Sequence, residues 1–89
     1  MVSYIAGCAA AFEYFETEVK ITGIAAVMDT TDKWYFRAGK PDEIVYGAAY
    51  VSFDKNTGEV CPETPVDPET RKIMRQATLL EIPKEYLGK

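Results

Sequence analysis

The chain has 89 residues, of which 47% are hydrophobic and 12% aromatic, and its formal net charge is -4. This length predicts one domain, 1–89, and the apolar content excludes a disordered chain. The acidic balance argues against a nucleic-acid-binding surface, because the longest basic cluster is only Arg71, Lys72 and Arg75. A core this small favours association into a homodimer, through an open sheet face or an edge strand.

The first predicted element is a helix over residues 3–17, which Ser3 can cap. Within it, Ile5-Ala6-Gly7-Cys8 has the form of a bacterial lipobox, whose cysteine would be lipidated. A lipoprotein signal needs a charged n-region and about 7–15 apolar residues before the cleavage site. With Met1 as the start, only seven uncharged residues precede Cys8. We therefore expect a cytoplasmic protein without membrane contact, in which Cys8 and Cys61 are free thiols.

Strands are predicted next, at about residues 19–28, 33–39, 44–53 and 59–61. Gly23 interrupts the alternation of the first strand, which indicates a bulge or bend. In the second strand, alternation sends Trp34 and Phe36 to one face and Tyr35 to the other. Gly58 closes the turn before the last strand and is predicted to supply a positive φ.

The third strand is the longest, and its alternation defines two faces. Tyr46, Tyr50 and Ser52 share one face, while Val51 and Phe53 share the other. If helices cover only one side of the sheet, the opposite side is a tyrosine-rich open surface of the kind found at protein interfaces.

The last predicted element is a helix over residues 68–80, in which Asp67 caps and Pro68 occupies the first turn. Its apolar face consists of Ile73, Met74, Ala77 and Leu80. The predicted fold class is α+β: an N-terminal helix packed on a three- to four-stranded antiparallel meander, followed by a short C-terminal helix.

The residue types exclude most catalytic chemistry. Histidine is absent, which removes Ser-His-Asp and Cys-His catalysis and most zinc and haem sites. The stretch Asp54 to Glu59 loosely resembles a calcium loop, but Pro65 stands where the bidentate glutamate would be needed. We therefore expect no cofactor, no metal and no enzyme activity; the alternative is an enzyme that uses Cys61 or a carboxylate.

The leading hypothesis is a protein-binding domain that masks its partner with an acidic or tyrosine-rich face. The candidate partner-binding residues are Glu13, Glu16, Tyr35, Tyr46 and Tyr50. The alternative is a small-molecule-binding domain, with a pocket between helix and sheet lined by Phe12, Trp34 and Tyr50.

Three segments also suggest a family: "KWYFRAG" from Lys33, "VYGAAYVSFD" from Val45 and "KNTGEV" from Lys55. Together they resemble the YrhB / immunity protein 35-like small bacterial domains, in which an N-terminal helix packs on an antiparallel sheet. The D-x-x-TGEV portion, Asp54 to Val60, also looks like PepSY domains, which are usually exported, so the lack of a signal sequence counts against them. The first resemblance implies a binding protein that neutralises a toxin, and neither family supplies catalytic residues.

Overall fold

The computed structural model describes residues 2–40, 49–63 and 68–88. These residues form an α+β fold, which confirms the predicted class. In chain order the elements are α1 (Tyr4–Tyr14), a π-helical turn (Phe15–Val19), β1 (Ile24–Asp29), β2 (Lys33–Ala38), β3 (Tyr50–Asp54), β4 (Val60–Glu63), α2 (Pro68–Gln76), β5 (Thr78–Leu79) and a 3-10 turn (Lys84–Tyr86).

Helix α1 begins where the sequence predicts, because the Ser3 hydroxyl accepts a hydrogen bond from the backbone N–H of Ala6 at 3.2 Å. Its end differs from the prediction. The π-helical turn continues the helix to Val19, and Lys20 then reverses the chain in the left-handed conformation at φ 65. The strand predicted over residues 19–28 therefore starts only at Ile24. Val19 and Ile21 still pack against the core, which explains their strand-like alternation with polar neighbours.

The sheet is antiparallel and has five strands in the order β4-β3-β2-β1-β5. The first four form the predicted meander, and β5 is an addition. It arises because α2 ends at Gln76, four residues before the predicted helix end, and Thr78 and Leu79 pair with β1. The predicted strand 44–53 is observed from Tyr50, and its residues 44–48 lie outside the described part of the chain.

The core lies between α1 and one face of the sheet. As alternation predicts, β2 contributes Trp34 and Phe36 to this face and β3 contributes Val51 and Phe53. Gly7 allows the helix to approach closely, since a Cβ there would lie 3.0 Å from Cε3 of Trp34. The helix and the sheet are thus in direct contact around the Trp34 ring.

The backbone of the C-terminal segment packs closely against the sheet at three glycines, Gly23, Gly39 and Gly88. Gly88 is buried, and its N–H donates to the carbonyl of Ile24 at 3.3 Å. The Gly39 N–H donates to the carbonyl of Gly23 at 3.1 Å. As the sequence predicts, the backbone bends at Gly23, where φ is 118, and the β1–β2 register then shifts between Ile24 and Ala26. The backbones meet so closely that a Cβ on Gly23 would lie 2.3 Å from Cα of Gly88.

Candidate functional site

The face of the sheet opposite α1 was expected to be open and rich in tyrosine. Tyr35 does lie on this face, but it is only 7% exposed, so the prediction of an exposed Tyr35 is wrong. Tyr35 belongs to the central strand, where it is flanked by Met28 of β1 and Ser52 of β3, and both of these are also buried. Tyr50 lies on the same face and is half-buried, whereas Tyr46 is outside the described residues.

Two polar side chains, those of Ser52 and Glu63, lie on this face beside Tyr35. The buried Ser52 hydroxyl donates to Oε1 of Glu63 at 2.7 Å, which satisfies the hydroxyl. Burial raises the pKa of the Tyr35 phenol, and the nearby Glu63 carboxylate raises it further. The phenol therefore keeps its proton at neutral pH, which suits a structural role in the sheet rather than proton transfer.

The residues of the expected small-molecule pocket are not brought together. Trp34 packs beneath α1 against the rings of Tyr4 and Phe53, with ring centroids at 5.4 and 6.0 Å. Phe12 instead contacts Tyr86 at 5.6 Å. Tyr50 projects from the other face of the sheet, because it stands one strand position from Val51. Phe12, Trp34 and Tyr50 consequently do not line a common cavity.

Both cysteines are free thiols in the structure, as expected. Cys8 is fully buried in the core, and burial raises its pKa. Cys61 lies in edge strand β4, where its thiol donates to Oε1 of Glu59 at 3.1 Å. This hydrogen bond is the main reason that the pKa of Cys61 is raised. Because the thiolate is the nucleophilic form, the raised pKa lowers the fraction of each cysteine that is nucleophilic at neutral pH.

The Glu59 contact leads to a prediction for thiol alkylation. Because a raised pKa lowers the thiolate fraction at neutral pH, Cys61 is expected to react more slowly with iodoacetamide than a free cysteine does. Replacing Glu59 with glutamine removes the carboxylate, lowers the pKa of Cys61 and should increase the rate a few-fold. The pH dependence of the alkylation rate, measured in both proteins with Cys61→Ser as the background, checks this. An unchanged apparent pKa in Glu59→Gln would contradict it.

In the turn from Asp54 to Glu59, the Asp54 carboxylate is hydrogen-bonded to the backbone of the turn itself. Oδ1 of Asp54 accepts the backbone N–H groups of Asn56 and Thr57 at 2.8 and 3.0 Å. The two hydrogen bonds hold the pKa of Asp54 below its usual value, and the bond from Thr57 has the larger effect. Gly58 adopts φ 79, which confirms the predicted positive φ. The described part of the chain contains no group of three or more His, Cys, Asp or Glu residues arranged to hold a metal ion.

Acidic residues at the end of α1 form the rim of a surface groove. This groove, which we call the α1 groove, has a volume of about 240 Å³. It is lined by Ala10, Glu13, Tyr14, Thr17, Glu18 and Val60.

The π-helical turn explains which carboxylates meet in the α1 groove. In a regular α-helix, Glu16 would be the neighbour of Glu13, three residues away. A π-helical turn brings residues five apart onto one side, so Glu18 joins Glu13 in the groove lining and Glu16 does not. Glu13 and Glu16, both predicted as partner-binding residues, are exposed as expected. Among the residues that the structure describes, none is in hydrogen-bond or ion-pair contact with the carboxylates of Glu13, Glu16 or Glu18.

Two further grooves adjoin helix α2. One, of about 340 Å³, is basic and is lined by Pro68, Arg71, Lys72, Arg75 and Gln76. The other, of about 510 Å³, lies at the end of the sheet and is lined by Asp29, Thr30, Thr31, Lys55, Ile73, Gln76, Ala77 and Thr78. The basic cluster noted in the sequence is thus confirmed to lie on one helix.

The Lys55 side chain lines the larger groove and makes contacts with other residues of the chain. Its Nζ lies 2.6 Å from Oδ1 of Asp29 and also donates to the carbonyl of Thr30. The same Nζ stands 5.1 Å from the centroid of the Trp34 ring, within cation–π range. These contacts tie the β3–β4 turn to the end of β1, so we assign Lys55 to stability rather than to ligand binding.

Comparison with known proteins does not assign the chain to a family. No protein-family model, no curated protein and no solved structure matches this chain. The resemblances to immunity protein 35-like and PepSY domains therefore stay predictions. Within residues 2–40, 49–63 and 68–88, neither helix has both the length and the apolar character needed to cross a lipid bilayer.

Proposed function

We propose that this chain is a non-enzymatic, cytoplasmic protein-binding domain, an immunity-like inhibitor of bacterial type, which recognises a basic segment of its partner through the α1 groove. The observation that carries the proposal is the pair of unpartnered carboxylates, Glu13 and Glu18, on the rim of a groove with a partly apolar lining. Immunity-like inhibition is the use that the sequence resemblance implies for such a surface.

The lining of the α1 groove matches the chemistry of a lysine or arginine side chain. Such side chains have an aliphatic stem and a charged head, which prefer different surroundings. Ala10, Val60 and the half-buried Tyr14 ring offer apolar contact to the stem. Glu13 and Glu18 can pair with the charged head, and a guanidinium can bind a carboxylate through two parallel hydrogen bonds.

The size of the groove favours a protein segment over a small molecule. Small-molecule sites usually enclose about 300–1,000 Å³, whereas the α1 groove has a volume of about 240 Å³ and is open to solvent. A groove of this size accommodates one or two side chains of a larger partner, whose remaining surface would contact the exposed end of α1.

A selection from a random peptide library tests the proposal. The purified chain is expected to enrich peptides that carry Lys or Arg, and an enriched peptide should bind the Glu13→Gln/Glu18→Gln variant at least about tenfold more weakly, since each charged hydrogen bond contributes about 1.5–3 kcal/mol. Affinity is measured by fluorescence anisotropy with the labelled peptide, at two salt concentrations.

Glu16→Gln is the matched control, because Glu16 is exposed on the same turn but does not line the groove. It should retain wild-type affinity. The proposal fails if no basic peptide is enriched, or if the peptides bind the double variant as tightly as the wild-type chain.

A further inference from the structure

Helix α2 is an amphipathic helix without a buried face. None of its nine residues is buried, and Ile73 is 43% exposed. Isolated helices shorter than about 12–15 residues are marginal in water, because most helical stability in proteins comes from packing. Such a helix gains stability when a second surface covers it.

The charge of α2 indicates what that surface is. Arg71, Lys72 and Arg75 are exposed and line its basic groove. Lys72 and Arg75 are three residues apart, so they lie about one turn apart on the same side of the helix. The α1 groove offers the complement: Glu13 and Glu18 around an apolar lining. One chain therefore carries both a basic helix and an acidic groove.

We propose that α2 of one copy of this chain docks in the α1 groove of a second copy, and the second copy reciprocates, giving a closed homodimer. The inference rests on the proposed function, because it names an occupant for the same groove. Two reciprocal contacts related by a two-fold axis close the assembly, so association stops at two chains. Lys72 and Arg75 face Glu13 and Glu18, and the aliphatic stems of these two basic side chains contact the apolar lining of the groove.

Light scattering over a concentration series, at low salt, tests the dimer. The wild-type chain is expected to approach twice its monomer mass of 10.0 kDa. Glu13→Lys/Glu18→Lys and Lys72→Glu/Arg75→Glu each place like charges against each other, and each should weaken association at least about 100-fold, because such juxtaposition costs several kcal/mol. Circular dichroism of each variant establishes that it is folded.

Mixing the two variants gives the sharper result. Each contact then joins opposite charges again, so an equimolar mixture should regain dimer mass although neither variant dimerises alone. Glu16→Lys/Glu81→Lys is the matched control for Glu13→Lys/Glu18→Lys: it makes the same change in net charge at exposed residues outside the groove and should dimerise as the wild type does. A wild-type monomer at all concentrations, or a dimer that both charge-reversed variants retain, overturns the inference.

Failure of the dimer proposal and failure of the proposed function give different experimental results. If the wild-type chain is monomeric but still binds basic peptides through Glu13 and Glu18, the dimer is overturned and the proposed function stands. If neither peptides nor a second copy depend on these carboxylates, both proposals are overturned.

Discussion

Replacing Gly23 with alanine is expected to lower the free energy of unfolding by about 4 kcal/mol, from backbone strain together with overpacking. Gly23 has φ 118, a conformation that side-chain-bearing residues rarely adopt. The new Cβ would also lie 2.3 Å from Cα and 2.8 Å from the backbone nitrogen of Gly88. Because both atoms are backbone, the C-terminal segment must move away. Chemical denaturation followed by Trp34 fluorescence measures the loss.

Gly39→Ala is the matched control for this substitution. Gly39 has nearly the same φ, 115, but among the described residues, its two chain neighbours apart, no atom lies within 4 Å of a Cβ placed there. It should therefore show only the strain, about 1–3 kcal/mol. In a chain shortened to end at Leu87, the extra cost of Gly23→Ala over Gly39→Ala should disappear. Equal losses for the two variants in the full chain would contradict the proposed contact with Gly88.

Lys55→Met is expected to cost about 2 kcal/mol, less than the 3–5 kcal/mol for breaking a fully buried ion pair. The reduction follows from exposure, because the Lys55 side chain is 15% exposed and Asp29 is 35% exposed. Methionine keeps the aliphatic stem over Trp34 but leaves the Asp29 carboxylate and the Thr30 carbonyl without the ammonium. Urea denaturation of the variant measures the loss.

A double-mutant cycle with Asp29→Asn separates the ion pair from the other contacts of Lys55. Groups in direct contact usually show a coupling of 0.5–3 kcal/mol, and about 1 kcal/mol is expected here. Lys84→Met, at an exposed lysine, should change stability by no more than about 0.5 kcal/mol. Additive effects of Lys55→Met and Asp29→Asn would show that the ion pair contributes nothing measurable.

Local patterns predicted the faces of the strands well. The two-residue period is a property of adjacent residues, so Trp34 and Phe36 could be assigned to the core face, and Val51 and Phe53 likewise. The same period also predicted that Tyr35 lies on the opposite face. Its burial could not be predicted, because it depends on which strands flank β2 and what surrounds them.

The missed features depend on contacts distant in sequence or on an unusual helical turn. Thr78 and Leu79 continue the helical pattern of α2, and only their pairing with β1 makes them a strand. The end of α1 lacks a glycine, and Lys20 adopts the left-handed conformation instead. The π-helical turn before it selects Glu18 rather than Glu16 for the groove, and Val60 arrives there from β4.

The edges of the sheet bear on how the protein behaves at high concentration. Edge strand β4 contains Pro62, which has no N–H to donate, and edge strand β5 has only two residues. Short edge strands and edge prolines are devices by which natural sheets resist the addition of a foreign strand. These edge strands are therefore poor templates for amyloid-like stacking. Contacts between copies of the chain are instead expected to involve the helices.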